Sequence, residues 1–332
     1  MAKKATLTQI SQAAGVSIAT VSRVLNNKGT VSPATRAKVE AVLEKNNYAP
    51  SAIARGMVGM PMKKVAVLTV DIREPHYAQT AYTIEQEFSN RGYEVILCNT
   101  GSDKEQALRY LRAVTKKQVD GIILVGSVFN QIGIDPEVQK LLQRAPVVLA
   151  NGRLSFKNSY SVEVDDVHGV YQLTEYLLSA GKKHLVYVKD LDTDSAKAKC
   201  NGFCKALERY GKIADDRVYN ADYGLQGGME AAAQLLKMGI KLDAIVCGED
   251  LTAVGVVKGL QHAGVNVPDD VAVTGYNHSI YADICQPRLT TVDNQPEQVA
   301  INCVQLLERL MSGDDGCQSV TILPELIFGQ ST

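Results

Sequence analysis

From residue 64 onwards, short runs of β-branched and other apolar residues alternate with longer stretches whose apolar positions recur three or four apart. The runs are VAVLTVD (65–71), YEVILCN (93–99), VDGIILVG (119–126), APVVLANG (145–152), KHLVYVKD (183–190), LDAIVCGED (242–250) and DVAVTGY (270–276). A strand buried on one face alternates apolar with polar, so near-continuous apolar strands separated by helices predict parallel sheets covered on both faces. Seven such repeats exceed one compact sheet with its helices, and two α/β lobes are expected. In doubly wound sheets ligands bind beyond the carboxyl ends of the strands. Those ends carry Asp71, Asn99, Ser127, Asn151, Glu249, Asp250, Asn277 and His278, which predicts a polar cleft between the lobes.

The first sixty residues differ in kind, with three short helical patterns and no strand alternation. Thr6 followed by Gln9 reads as a capping box, and Gly15 ends the first helix after Ala13 and Ala14. Ser17 caps a second helix, and Ser32-Pro33 sets a cap and a first-turn proline before a third. Ile10, Val16, Val21, Val24, Leu25, Val39, Val42 and Leu43 supply a small shared core. In SIATVSRVLN (17–26), Val21, Val24 and Leu25 face inward and leave Ser17, Ile18, Ala19, Ser22, Arg23 and Asn26 outside. That is the pattern of a helix-turn-helix, and equally of an ordinary solvated helix.

Charge bears on the choice. The chain of 332 residues carries a net charge of −1, but residues 1–60 hold eight Lys/Arg and two acids, leaving 27 basic and 34 acidic residues for the rest. A +6 segment is thus joined to a −7 body, and the near-zero total conceals both. With 45% hydrophobic and 21% charged residues, the chain as a whole is expected to fold. No run approaches the ~20 apolar residues of a membrane span and MAKKATLTQ has no apolar signal segment, so a cytoplasmic chain without membrane contact is expected. Seven scattered cysteines predict reduced thiols. Cys200 and Cys204 share a helical face without the further ligands a zinc site needs, so no metal or cofactor is expected. The five histidines, 76, 168, 184, 262 and 278, belong to no catalytic motif, and no phosphate loop is present; an enzyme is not expected.

The segment from Thr6 to Arg55, with AGVS followed by TVSRVLN, resembles the DNA-binding headpiece of the lactose/galactose repressor (LacI/GalR) family of bacterial transcription regulators. The resemblance continues through DIREPHY (71–77), KKQVDGIILVG (116–126), NVPDDVAVTGYN (266–277) and PRLTTV (287–292). It implies a headpiece over 1–48, a hinge helix over 49–60, and an effector-binding and dimerisation domain over 61–332. That domain is similar to the two-lobed periplasmic sugar-binding proteins, with one lobe at about 61–160 and 292–320 and the other at about 161–291 and 321–332. The implied partners are a palindromic double-stranded operator, a second copy of the chain, and a small sugar-like effector.

Position by position, the resemblance assigns base reading to Ile18, Ala19 and Arg23, of which Arg23 alone can bond a guanine bidentately. It assigns phosphate contacts to Thr6, Ser17, Thr20, Ser22, Asn26 and Tyr48. Met57 stands where the family's hinge helix carries a leucine wedge for the minor groove, and Gly56 beside it weakens that helix. In the cleft, Tyr223 matches a ring-stacking aromatic and His76 and Tyr77 match positions after the first strand. Asn151 and Asn294 match polar positions of the opposite lobe. Three positions depart from the pattern: Lys199 replaces an expected Arg, Glu249 an expected Asn, and Asn277 an expected Asp. The carboxylate count is kept while its place moves, and Lys199 can pair with Glu249. An alternative within the family is control by a phosphorylated carrier protein; PEQVAINCVQLLERL (296–310), with little basic or aromatic character, lowers it.

Overall fold

The computed structural model describes residues 5–25, 29, 31–46, 48, 61–156, 159–212 and 217–332. The expectations for Asn26, Met57 and the hinge at 49–60 lie outside the described residues. The chain divides into two compact units, Met1–Lys64 and Val65–Thr332.

The first unit packs α1 (Leu7–Ala14), α2 (Ile18–Leu25) and α3 (Pro33–Lys45) around Ile10, Ala14, Val21, Val24 and Val39. Local chemistry sets each boundary. Thr6 Oγ1 accepts from the Gln9 backbone N–H at 3.3 Å while Gln9 Oε1 accepts from the Thr6 N–H at 2.8 Å, closing the predicted capping box. Gly15, at φ +63°, ends α1 in the left-handed conformation that favours glycine. Only Val16 and Ser17 separate it from α2, whose Thr20 N–H is taken by Ser17 Oγ at 3.1 Å. Ser32 caps α3 through the Thr35 N–H, with Pro33 in the first turn.

In the second unit, β1 (Lys64–Thr69), β2 (Glu94–Asn99), β3 (Gly121–Val125), β4 (Val147–Ala150), β5 (Ser159–Val164) and β11 (Val320–Ile322) form one sheet in the order β11-β5-β4-β3-β1-β2. Strands β1, β3, β4, β5 and β11 run parallel. Helices cover both faces, as the apolar runs require. Val65, Val67, Ile123 and Val125 pack with Phe88 and Ile84 of helix Pro75–Asn90 and Cys303 and Leu307 of helix Pro296–Met311. Their neighbours Ala66, Leu68, Ile122 and Leu124 pack on the other side with Leu108 and Leu111 of helix Lys104–Lys116.

The second lobe is a parallel sheet in the order β7-β6-β8-β9, from β6 (Leu185–Lys189), β7 (Val218–Asn220), β8 (Ala244–Cys247) and β9 (Ala272–Thr274). Helices Asp166–Ser179 and Asp194–Arg209 cover one face; Leu225–Lys237 and Asp250–His262 cover the other. This last pair meets backbone to backbone: a Cβ on Gly228 would overlap the Thr252 carbonyl oxygen and stand 2.9 Å from Gly255 Cα. A ribbon of β10 (Thr291–Asp293) antiparallel to β12 (Glu325–Ile327) joins the crossovers. The first lobe's sheet extends to Val164 and Ile322 through β5 and β11, so the chain changes lobes slightly beyond residues 160 and 320. Among the described residues, no helix is long and apolar enough to cross a membrane.

Candidate functional site

The outward face of α2 is the first candidate surface. Ile18 is 42% exposed, and Ala19, Arg23 and Ser17 are exposed beside it, while Val21 and Val24 are buried. The helix therefore offers two apolar side chains and one guanidinium on the face away from its core. Ser17 Oγ and Thr20 Oγ1 are 2.9 Å apart, so one hydroxyl donates to the other. Thr6 Oγ1 serves the α1 cap as an acceptor and retains its proton for a further acceptor such as a phosphate oxygen. Ser22 is half-buried. Tyr48 packs against the three-helix core, and burial raises its phenol pKa.

The second candidate is a cavity of about 370 Å³ between the two lobes. Tyr77, His76, Asn151, Lys199, Tyr223, Glu249, Asn277 and Asn294, the eight positions singled out in sequence, all line it. Asn151 corrects one expectation: it follows β4, in the same sheet as β1, and so shares a lobe with His76 and Tyr77. Asn294 sits on the crossover after β10.

A hydrogen-bonded chain organises the floor. Lys199, 3% exposed, rises from helix Asp194–Arg209 and donates to Glu249 Oε1 at 2.8 Å and to the Gly248 carbonyl at 3.0 Å. Its ammonium lies 4.0 Å from the centre of the Tyr276 ring, a cation–π contact. Desolvation pulls the lysine pKa down, but the Glu249 and Asp166 charges outweigh it and the net shift is upward. Asn277 Nδ2 donates to Glu249 Oε2, and Asn294 Nδ2 donates to Asn277 Oδ1 at 2.9 Å. The relocated carboxylate is thereby held by an amine from one side and an amide from the other.

Sequence reasoning passed over Asp166, Ser195 and Glu74. Asp166 opens the helix after β5 and accepts from Ser195 Oγ and Tyr276 Oη, each at 2.6 Å. Burial raises its pKa. Glu74, inside the DIREPHY motif, accepts from Tyr223 Oη across the cleft at 2.5 Å. The expected stacking aromatic thus also bridges the lobes through its phenol, whose pKa burial raises strongly. Asn130 Nδ2 to Asp194 Oδ2, at 2.7 Å, is a second bridge. His76 is neutral, its pKa pushed down to about 4 by desolvation and then by the Lys199 charge.

Other strand-end residues serve the frame. Asn99 holds the Ile72 N–H at 2.9 Å, and His278 faces Asp293 and Asp283. Asp250 accepts from the Ser279 N–H, Ser279 Oγ and Thr291 Oγ1 at 2.6–2.8 Å, and burial lifts its pKa to about 7. Asp190 accepts from Thr252 and is likewise lifted to about 7 by burial, then by the Glu249 charge. Among the described residues, no group of three or more His, Cys, Asp or Glu is placed to hold a metal ion.

Residues 62–312 match the family described as periplasmic binding proteins and sugar binding domain of LacI family, and residues 6–51 match bacterial regulatory proteins, lacI family. An HTH-type transcriptional regulator of Lachnoclostridium phytofermentans is 33% identical over 326 residues, 97% of this chain and 98% of that protein. The ribose operon repressor of Escherichia coli K12 is 31% identical over 305 residues, 91% of this chain and 92% of the repressor. Among solved structures, the transcriptional regulator CelR in complex with cellobiose superposes with a TM-score of 0.73 at 25% identity, over 99% of this chain and 100% of CelR.

Proposed function

The chain belongs to the LacI family of bacterial regulatory proteins, and we propose from that premise that it represses a carbohydrate-utilisation operon under the control of a small hydroxylated effector. Two copies of α2, presented by a homodimer, read the halves of a two-fold symmetric operator in the cytoplasm. Arg23 supplies hydrogen bonding to guanine, and Ile18 and Ala19 supply apolar contact, for example to thymine methyls. The chain is a regulator and not an enzyme.

The observation that carries the effector reading is the chain Lys199–Glu249–Asn277–Asn294, polar side chains held in fixed orientation at a cavity of about 370 Å³. That volume lies toward the small end of ligand pockets and suits a compact ligand. The coupling runs through the lobes. A ligand that exchanges contacts with the Tyr223–Glu74 and Asn130–Asp194 bridges favours one lobe arrangement over another, and a differential affinity worth about 1–3 kcal/mol suffices to regulate operator binding. The phosphocarrier alternative is not favoured: on helix Pro296–Met311, Glu297 accepts from Gln79, and Arg309 is paired with Asp314.

The test is selection of bound fragments from a random double-stranded pool by the full chain, followed by calorimetry with mono- and disaccharides. Enrichment of a symmetric site and binding of a sugar support the reading. Sequence-indifferent DNA binding, or binding of a phosphocarrier protein with no sugar bound, refutes it.

A further inference from the structure

Resting on the reading of the cleft as an effector site, the hydrogen-bonding inventory of its walls restricts what that effector can be. Four carboxylates, Asp71, Glu74, Asp166 and Glu249, line the cavity, and Lys199 is the only cationic side chain among the described residues that do so. The Lys199 charge is already committed. Its protons go to Glu249 and Gly248, and its remaining face is turned to the Tyr276 ring. Asp71 is likewise engaged, by Arg73 at 2.6 Å. His76, uncharged, adds no cation.

The orientation of the amides follows from the same chain. A carboxylate bonded in this way only accepts, so Glu249 obliges Asn277 to present its Nδ2. Asn277 Oδ1 then obliges Asn294 to present its own Nδ2, which leaves Asn294 Oδ1 as an acceptor. Asn294 is 5% exposed, and that oxygen is buried without a hydrogen-bond partner, as is Oδ1 of Asn151. A buried acceptor without a partner costs free energy until a donor reaches it. The cavity therefore sets Glu74, met by the uncharged Tyr223 phenol, among lining residues that include two amides with unpartnered oxygens, and among the described residues it lacks a free cation.

We propose that the effector is a small polyhydroxylated compound bearing a protonated amine, such as an amino sugar, and that the cleft excludes phosphorylated and carboxylated sugars. An ammonium brings donors and no acceptor, and its charge joins that of Lys199 against the carboxylates of Glu74, Asp166 and Glu249. A phosphate would meet those carboxylates with no cation left to receive it.

The test is calorimetry of the full chain with glucose, galactose and mannose, each beside its 2-amino-2-deoxy form, its N-acetylated form and its 6-phosphate. The expected result is that one amino sugar binds at least about tenfold more tightly than its neutral, N-acetylated and phosphorylated counterparts, as a charge-assisted contact in place of a neutral one provides. Glu74→Gln should shrink that preference while the variant still melts cooperatively. A neutral sugar binding as well as its amine, a 6-phosphate binding more tightly, or an amine preference unchanged in Glu74→Gln would overturn the inference and leave the cleft as an effector site. Absence of binding in all four classes would overturn both.

Discussion

Replacing Lys199 with methionine tests whether the cleft floor is held together as described. The substitution keeps an apolar stem of similar length and removes the ammonium from a pair that is 3% and 8% exposed, with the ion pair at 2.8 Å. Glu249 then keeps only the Asn277 amide, and Gly248 loses a donor to its carbonyl. Breaking one side of a buried pair costs roughly 3–5 kcal/mol, because the remaining charge stays desolvated. At roughly 2–4 °C per kcal/mol for a unit of this size, Lys199→Met should lower the melting temperature by on the order of 10 °C. The pair as a whole stabilises far less than its rupture costs. Lys199→Met combined with Glu249→Gln should therefore recover most of the loss, so the two substitutions should couple strongly in a double-mutant cycle, the double variant costing far less than the sum of the two single ones. Thermal unfolding followed by circular dichroism measures all four proteins. A single variant within about 2 °C of the parent, or a double variant no better than the single one, would refute the account of the floor.

Packing, pH and DNA reading give further tests. Gly228→Ala places a methyl against the Thr252 carbonyl and Gly255, so overpacking should cost at least about 1–3 kcal/mol in denaturant unfolding; a neutral outcome would mean the two helices can separate freely. Asp190, raised to about 7 from an ordinary 3.8, keeps its proton in the native state after the unfolded chain has released it. Its contribution to stability is thus full below pH 3.8 and lost as pH rises through 7. Asp190→Asn should become progressively more stable relative to the parent over that window, and parallel stability curves would contradict this. His76 works with the opposite sign: between about 4 and 6.5 the unfolded chain binds a proton the native ring refuses, so stability rises with pH, and His76→Gln should remove that slope. Arg23→Ala should weaken binding to the selected operator by on the order of 1–3 kcal/mol and relax preference at one base pair per half, measured by anisotropy on single-substitution variants.

The parts of the fold legible in sequence are those whose burial is set by local pattern. β1, β3, β4, β6 and β8 read as continuous apolar runs because helices cover both faces. The exposed face of α2 follows from the spacing of Val21 and Val24 and from the Ser17 cap. β5 escaped because SYSVEV mixes polar residues into the strand, and one of its two neighbours, β11, comes from a distant segment. The three-residue strands β7, β10, β11 and β12 are too short for any periodicity to register. In the cleft, Lys199 and Glu249 could be paired in advance because both stood at departures from one family pattern. Glu74 and Asp166 could not: Glu74 acquires Tyr223 only where the lobes meet, and Asp166 acquires Ser195 and Tyr276 within its own lobe, from positions 29 and 110 residues along the chain.

The central claim, that occupancy of the cleft controls sequence-specific DNA binding, is tested most directly by the affinity of the full chain for its selected operator, measured by fluorescence anisotropy with and without a saturating sugar from the calorimetric panel. A change of at least about fivefold, lost when Asn277→Ala removes the Glu249–Asn294 link, is the predicted result. Identical operator affinity with the cleft empty and saturated would contradict the account.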